Sequence, residues 1–334
     1  MAYSYGDPKR YSRGQVTRAG TLLANGQGGQ HELSVVNNWR NAHSYILNTF
    51  QATLRNYIRK DEGDVTFAQR LKRLATIVDK LRSGRAHDLA SMHDLAGCRL
   101  IFASPDQLQD FRSRFHKTRA LHRRIDANRY DYIVNPKNTG YRGVHEVYKY
   151  EAMSRGGAVY DGLKIEIQYR TRVQHAWATA VETSDILDGA RIKFDQGANP
   201  KRERFFVLAA EWIARDRENT FGCAPQLSDA DLRQQLRSLE DELGVIQRLN
   251  AARKSEVVIP ARKHIVLRLN QGDLTARGFT EPKAAIAYRD SVEKENPLDD
   301  IVYVSAQTPR AIPDAFRNYF RDAADFVDMI SPAL

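Results

Sequence analysis

The segment from residue 135 to residue 145 concentrates side chains suited to gripping a nucleotide. Its glycines, Gly140 and Gly143, permit tight bends and a close backbone approach to a ligand. Between them stands Tyr141, whose ring can stack on a base, a contact worth about 1–3 kcal/mol. The alternative is that this ring is a core aromatic at the start of a strand. The alternative is disfavoured by the charged neighbours, which would crowd a core: Lys137, Arg142 and His145.

Two carboxylates from separate elements are candidates for a metal–phosphate site. In the predicted strand 162–169, Glu166 and Gln168 share one side with Arg170, and Ile165, Ile167 and Tyr169 share the other. Asp94 precedes a predicted buried strand at 98–102. Together Asp94 and Glu166 could share one Mg²⁺, with phosphate oxygens and water completing its octahedron. An internal salt bridge between Glu166 and Arg99 is the competing interpretation.

A predicted helix at 172–187 could cover the same site. His175, Thr179 and Glu182 lie on one face of it by their i, i+4, i+7 spacing. A lone histidine of this kind is more often a packing residue than a catalyst, so His175 and Glu182 are candidates for support of the site.

Basic residues are unevenly distributed along the chain. Residues 1–260 carry 41 Lys/Arg and 30 Asp/Glu, a net charge of +11, whereas residues 261–334 carry 10 and 11. This pattern suggests a polyanionic partner for the first part only. Solvated faces are the ordinary reading of such runs. The densest run comprises Arg112, Arg114, Lys117, Arg119, Arg123 and Arg124.

Periodicity and turn residues predict a mixed α/β chain. The other predicted helices span 35–59, 66–82, 88–96, a stretch opening after Ser104, 201–219, 227–252, 280–292 and 312–329. The other predicted strands span 98–102, 130–134, 144–152, 264–269 and 300–305. We divide the chain into a flexible arm at 1–30, a catalytic domain at 31–225, a linking helix at 226–259 and a small αβ domain at 260–334.

Composition excludes several classes of protein. No run of 18 apolar residues is present to cross a membrane. Two cysteines cannot build a disulfide framework or a four-cysteine zinc site, so we expect no zinc and a cytoplasmic location. Walker A and Gly-x-Gly-x-x-Gly motifs are absent from the sequence, which leaves other nucleotide folds without support.

Four blocks, in order and correctly spaced, resemble the RelA/SpoT synthetase family over roughly residues 35–220. They are Arg70-Leu71-Lys72, Asp94-Leu95-Ala96-Gly97-Cys98-Arg99, the loop from Lys137 to His145, and Glu166-Ile167-Gln168-Tyr169-Arg170-Thr171. The loop departs from many family members at Thr139, which replaces Asn, and at Arg142-Gly143, which replaces Gln-Ser.

The resemblance implies a nucleotidyltransferase-like fold, a mixed β-sheet flanked by helices. It implies transfer of the β,γ-pyrophosphate of ATP to a ribose 3′-hydroxyl with Mg²⁺. Arg70, Lys72 and Arg99 would grip ATP, and Asp94 and Glu166 would serve the metal, with Glu166 helping to deprotonate the hydroxyl. Tyr141 would stack on the acceptor base, and Lys137 and His145 would contact its phosphates. Fewer than 100 residues precede His87-Asp88 and His93-Asp94, so we expect no hydrolase domain of the kind found in long members.

The whole length resembles one branch, toxic small alarmone synthetases fused to their own antitoxin (the CapRel type). The resemblance lies in Tyr11-Ser12-Arg13-Gly14-Gln15-Val16, Arg70-Leu71-Lys72-Arg73 and the tail from Phe316 to Asp322. It implies a pseudo-zinc-finger tail that blocks the ATP site with Phe316 and Tyr319. It also implies the tRNA 3′ CCA end as acceptor, arrested translation, and a phage structural protein as trigger. With tRNA as the acceptor, the basic run from Arg112 to Arg124 becomes a candidate tRNA contact, since tRNA is a polyanion. Two alternatives are an alarmone synthetase acting on GDP or GTP and an inactive RNA-binding sensor module.

Overall fold

An eight-stranded mixed sheet organises the part of the chain that the structure, a computed structural model, describes: residues 5–59, 65–117, 122–188, 199–251, 260–270, 273–296, 299–306 and 323–334. The order across the sheet is β3-β4-β5-β2-β1-β8-β6-β7. Only the β2–β5 pair is parallel among these strands. The strands are β1 (Thr66–Leu71), β2 (Ala96–Phe102), β3 (Arg123–Ile125), β4 (Val144–Lys149), β5 (Lys164–Thr171), β6 (His264–Asn270), β7 (Asp273–Phe279) and β8 (Asp300–Ala306).

Helices flank this sheet, as expected for the predicted α+β class. They are α1 (Arg13–Ala24), α2 (Gln30–Ile58), α3 (Leu74–Arg82), α4 (Pro105–His116), α5 (Arg172–Asp188), α6 (Pro200–Glu218), α7 (Asp229–Leu243), α8 (Val245–Ala251), α9 (Pro282–Glu295) and α10 (Ala324–Ile330). The predicted cap of α4 is confirmed, because Ser104 Oγ accepts a hydrogen bond from Gln107 N at 3.2 Å. No helix of the described residues has the length and apolar content needed to cross a membrane.

The helix predicted over 66–82 is wrong in its first half. Residues 66–71 form β1, which pairs with β2 on one side and β8 on the other. Only Leu74–Arg82 is helical. Pairing on both edges outweighs local helix propensity, because strand preference depends on tertiary neighbours.

Two further predicted elements are turns in the structure. The helix predicted at 88–96 is wrong because Asp88 Oδ1 accepts the backbone N–H of Ser91 at 2.8 Å, which closes a turn. The strand predicted at 130–134 is wrong because Asp131 Oδ1 accepts the backbone N–H groups of Ile133 and Val134 at 3.2 and 3.3 Å. A single bridge from Asp131 to Val144 is what remains of the pairing.

The flexible arm expected at 1–30 contains a packed helix instead. A reciprocal capping box between Ser12 and Gln15 starts α1, and Val16 and Ala19 lie in the main core. The long helix predicted at 227–252 is also divided, since Gly244 has φ +57° and separates α7 from α8. A left-handed residue ends a helix at low cost when it is glycine.

The segment after residue 260 continues the same sheet. β8 lies against β1, and α10 packs near α6, where Trp212 Nε1 donates to Met329 O at 3.1 Å. The boundaries at 225, 259 and 260 stay predictions. Phe316 and Tyr319, and most of the helix predicted at 312–329, lie outside the described residues.

Candidate active site

One face of the sheet is polar at its centre. The register sets Arg70 opposite Gly97, Gly97 opposite Glu166, and Gln168 between Arg99 and His145. Residues opposite one another on neighbouring strands share a face, and alternation along each strand extends it. Glu166, Gln168 and Arg170 thus share the face, as predicted, while Ile165, Ile167 and Tyr169 lie in the core beneath.

Asp94 stands at the entry to β2, between two ammonium groups. Its Oδ2 accepts from Lys72 Nζ at 2.7 Å and from Lys80 Nζ at 3.0 Å. Burial alone would raise the pKa of Asp94, but the charges of Lys72 and Lys80 hold it below its ordinary value. Its Oδ1 is buried and has no hydrogen-bond partner in the part of the chain that the structure describes, so one oxygen of a charged carboxylate is uncommitted there.

Glu166 also has one oxygen engaged. Its Oε1 accepts from Gln168 Nε2 at 2.6 Å and from His145 Nδ1 at 3.0 Å. Burial alone would raise the pKa of Glu166, but the charge and hydrogen bond of His145 lower it well below its usual range. The side chain remains 12% exposed, and Oε2 receives no hydrogen bond among the described residues.

The two carboxylates fit the expected Mg²⁺. They are close enough that the charge of Glu166 raises the pKa of Asp94, and both line one cavity of about 430 Å³. A buried carboxylate oxygen without a hydrogen bond is costly unless a cation uses it. Among the described residues no group of three or more His, Cys, Asp or Glu side chains forms a protein-only metal site. Two carboxylates with phosphate oxygens and water are the usual arrangement for Mg²⁺ beside a nucleotide.

The cavity is lined mainly by cationic and aromatic side chains. Lys137 and His145, both predicted, are part of it, and Lys137 Nζ lies 4.2 Å from the centroid of the Tyr132 ring. Sequence reasoning missed several lining residues: Lys80, Arg85, His87, His93, Tyr130 and Tyr132. The sequence predicts both Tyr130 and Tyr132 within a strand. Their position just before the loop is the signal that could have placed them near the cavity.

Tyr141 does not stand open as a stacking platform in this structure. It is 8% exposed, and its hydroxyl lies 2.5 Å from His145 Nε2 and 3.1 Å from Arg170 Nε. The glycines beside it are required, since Gly140 has φ +89° and Gly143 has φ +147°. Here the cavity's exposed aromatic surface comes from Tyr130 and Tyr132, and Tyr141 is enclosed.

Three arginines accumulate positive charge on the sheet face. Burial, together with the charges of Arg170 and Arg70, lowers the pKa of Arg99 to about 9. Glu182 opposes this shift, which places that carboxylate of α5 beside Arg99. Arg70, Arg99 and Gln168 line a small cleft next to β1. Such a concentration of guanidinium groups is suited to polyphosphate.

The remaining support candidates belong to the scaffold. Arg142 is 4% exposed and forms an ion pair with Glu218, which also accepts from Thr171 Oγ1 at 2.6 Å. These contacts fasten the loop to α6. His175 is buried within α5 and does not line the cavity.

The predicted tRNA tract divides into a buried and an exposed part. Arg112 is 6% exposed and donates to Glu146 at 2.9 Å and to Asp131 at 3.1 Å, so assigning it to a nucleic-acid surface is wrong. Arg124 also pairs with Glu146, at 3.1 Å. Exposed cations of the tract are Arg114, Lys117 and Arg123. Arg119 lies outside the described residues.

Part of the chain is similar to known proteins. Residues 69–186 match the family model described as the region found in RelA/SpoT proteins. GTP pyrophosphokinase YjbM from Bacillus subtilis is 32% identical over 130 residues, which cover 38% of this chain and 59% of that protein. Residues 69–186 are therefore similar to the RelA/SpoT region, and the match to YjbM spans less than two thirds of the length of that relative.

Solved structures of small alarmone synthetases from Bacillus subtilis also align with the chain. Small alarmone synthetase 1 bound to its product pppGpp is 25% identical, with 52% of this chain and 87% of that one covered and a TM-score of 0.41. Small alarmone synthetase 2 is 20% identical, with 64% and 98% covered and a TM-score of 0.42.

Proposed function

We propose that the chain, through the RelA/SpoT region in residues 69–186, is an ATP-dependent pyrophosphokinase acting on a ribose 3′-hydroxyl. The observation that carries the proposal is the pairing of Asp94 and Glu166 in one cavity, each with one oxygen uncommitted. Cations surround both. Phosphoryl transfer depends mainly on positioning and charge neutralisation, which is what such a site supplies.

The residues divide into donor and acceptor sides. Arg70, Lys72 and Arg99 would hold the triphosphate of ATP, and Lys137 and His145 would contact the phosphates of the acceptor. Glu166 would take the proton of the 3′-hydroxyl, and the oxygen of that hydroxyl would form a bond to the β-phosphorus of ATP. The bond between the β-phosphorus and the oxygen that bridges it to the α-phosphate would break, which releases AMP. Asp94 Oδ1 and Glu166 Oε2 are the atoms that would hold Mg²⁺. When bound, the ion neutralises charge on the transferred group.

The acceptor we favour is the 3′ CCA end of tRNA. A net charge of +11 over residues 1–260 and the exposed cations Arg114, Lys117 and Arg123 support a polyanion larger than one nucleotide. GDP or GTP is the alternative, favoured by the name of the relative, a GTP pyrophosphokinase. An inactive RNA-binding module is disfavoured, since both carboxylates are present.

Incubation with γ-labelled ATP and either bulk tRNA or GDP/GTP tests the acceptor. We expect label on tRNA. Neutralising Arg114, Lys117 and Arg123 together to Gln should weaken labelling and reduce its salt dependence, because each lost phosphate contact lowers the slope against log salt by about 0.7–0.9.

The matched control removes three exposed cations elsewhere, Lys9, Arg237 and Lys283. If both triple variants lose tRNA labelling equally, the loss results from the change in net charge and not from these three positions. Label on GDP or GTP alone would establish the alternative acceptor. Label on neither would favour the inactive module.

We propose further that the chain from residue 260 onward restrains the enzyme as a built-in antitoxin, released by a phage structural protein. Two contacts support this arrangement. β8 lies directly against β1, the strand that carries Arg70. Arg40 of α2 forms a buried two-point ion pair with Glu293 of α9, at 2.6 and 3.0 Å.

Glu293→Gln should raise basal transfer. Removing one partner of a buried ion pair costs about 3–5 kcal/mol, and here that loss falls on the contact between α2 and α9. The exposed Glu295→Gln on the same helix is the control. Unchanged or lower activity in a folded Glu293→Gln protein would contradict inhibition through this contact.

A further inference from the structure

Four side chains form a continuous hydrogen-bonded row that ends on the candidate catalytic carboxylate. Arg170 Nε lies 3.1 Å from Tyr141 Oη, which lies 2.5 Å from His145 Nε2. His145 Nδ1 lies 3.0 Å from Glu166 Oε1. The row runs from Arg170 of β5 through Tyr141 of the loop and His145 of β4 and returns to β5 at Glu166.

The chemistry of the two ends sets the direction of these bonds. A guanidinium only donates, so Tyr141 Oη accepts from Arg170. A carboxylate at neutral pH only accepts, so His145 Nδ1 carries a proton and donates to Glu166. The bond between Tyr141 Oη and His145 Nε2 then holds the ring in one orientation, since the partner of one ring nitrogen fixes the role of the other.

The loop packs closely against the Tyr141 hydroxyl at Gly143. A Cβ at Gly143 would lie 3.1 Å from Tyr141 Oη and 3.2 Å from Arg170 Cγ, closer than ordinary contact. The Tyr141 ring packs against Trp177 and lies under the Arg170 guanidinium, 5.0 Å from its centroid. The Arg170 guanidinium thereby lies over the ring, while the ring hydroxyl is engaged by both Arg170 and His145.

We propose that the Tyr141 hydroxyl is a positioning group, which aims Glu166 Oε2 at its target by holding His145 against Oε1. With Oε1 occupied by Gln168 and His145, only Oε2 faces the reacting groups. This role rests on the proposed pyrophosphate transfer and differs from base stacking, which needs the ring and not the oxygen.

Tyr141→Phe separates the two roles because it keeps the ring and removes the oxygen. We expect kcat to fall about tenfold or more, with KM for ATP and for the acceptor unchanged. This is the scale of effect when a residue that orients a directly acting side chain is removed. Tyr160→Phe is the control, a 9% exposed tyrosine outside the cavity that loses the same atom. Unchanged kcat, or a rise in KM alone, would overturn the proposal.

A second measurement does not depend on activity. Nitrogen-15 NMR of the nine histidines, with His145 identified by its loss in His145→Gln, reports which ring nitrogen carries a proton. We expect Nδ1 of His145 to be protonated in the wild type, and both ring shifts to change in Tyr141→Phe.

A wild-type His145 without a proton on Nδ1, or ring shifts identical in Tyr141→Phe, would overturn the positioning role. Absence of transfer in the wild type would overturn the proposed function, and the NMR result would still decide whether Tyr141 orients His145.

Discussion

Asp94→Asn and Glu166→Gln should each reduce pyrophosphate transfer roughly a hundredfold or more, the scale of removing one charged group from an active site. Both substitutions preserve volume and remove one negative charge. Low folded pKa values keep both carboxylates ionised at neutral pH, so the charge is present to be lost. The measurement is the initial rate of label transfer from γ-labelled ATP at saturating Mg²⁺.

The two variants differ in what they leave behind. Burial lowers the pKa of Lys72, and the charge of Asp94 acts in the opposite direction. Asp94→Asn removes that charge from beside Lys72. Glu166→Gln leaves His145 without its carboxylate. Asp110→Asn and Glu295→Gln, both exposed, control for loss of one charge elsewhere. Near-normal turnover in either variant would remove that residue from the metal and proton-accepting roles.

The largest effect on stability is expected at Glu146, behind the active site. Its carboxylate accepts from Arg112 at 2.9 Å, His116 at 2.8 Å, Arg124 at 3.1 Å and Tyr148 at 2.9 Å, and its side chain is 3% exposed. Glu146→Gln replaces one of the two carboxylates that face the buried Arg112 by a neutral amide and leaves Asp131 as the other. Breaking a buried ion pair in this way costs about 3–5 kcal/mol, which a shift in the denaturant midpoint would measure.

Acid should remove the same contribution in the unmodified protein. Burial alone would raise the pKa of Glu146, but the hydrogen bond of His116 and the charge of Arg112 lower it to about 2, from an ordinary value of 4.5. The folded protein therefore binds this proton more weakly than the unfolded chain does. The stabilisation is complete above about pH 4.5 and is lost as the pH falls from there to about 2.

Glu146→Gln should lack this part of the acid dependence, whereas Glu151→Gln, near the end of the same strand, should keep it. Identical acid profiles for Glu146→Gln and the wild type would show that the cluster contributes nothing through ionisation. If Glu146→Gln lowers the free energy of unfolding by well below about 1 kcal/mol, the contacts of Glu146 contribute no more than surface ion pairs do.

Local patterns in the sequence determined several parts of this site. Alternation along residues 164–171 placed Glu166 and Gln168 on one face, because successive side chains of a strand point to opposite sides. Ser104 marked the start of α4, because a capping hydroxyl acts within one turn. The position of Asp94 just before a buried strand suggested that it could lie near Glu166, and the parallel pairing of β2 with β5 brings the two strands together.

Only the tertiary structure decided how charge and burial are shared among distant residues. β1 is a strand because β2 and β8 lie on either side of it, a fact that residues 66–71 do not carry themselves. Arg112 reads as one more exposed cation until Glu146, 34 positions later, is placed beside it. The sequence indicates that the Tyr141 ring is available for stacking, whereas in the structure its hydroxyl is hydrogen-bonded to Arg170 and His145. Local propensity acts over a few residues, whereas desolvation and pairing of charge depend on which strands become neighbours, and that is set by the fold as a whole.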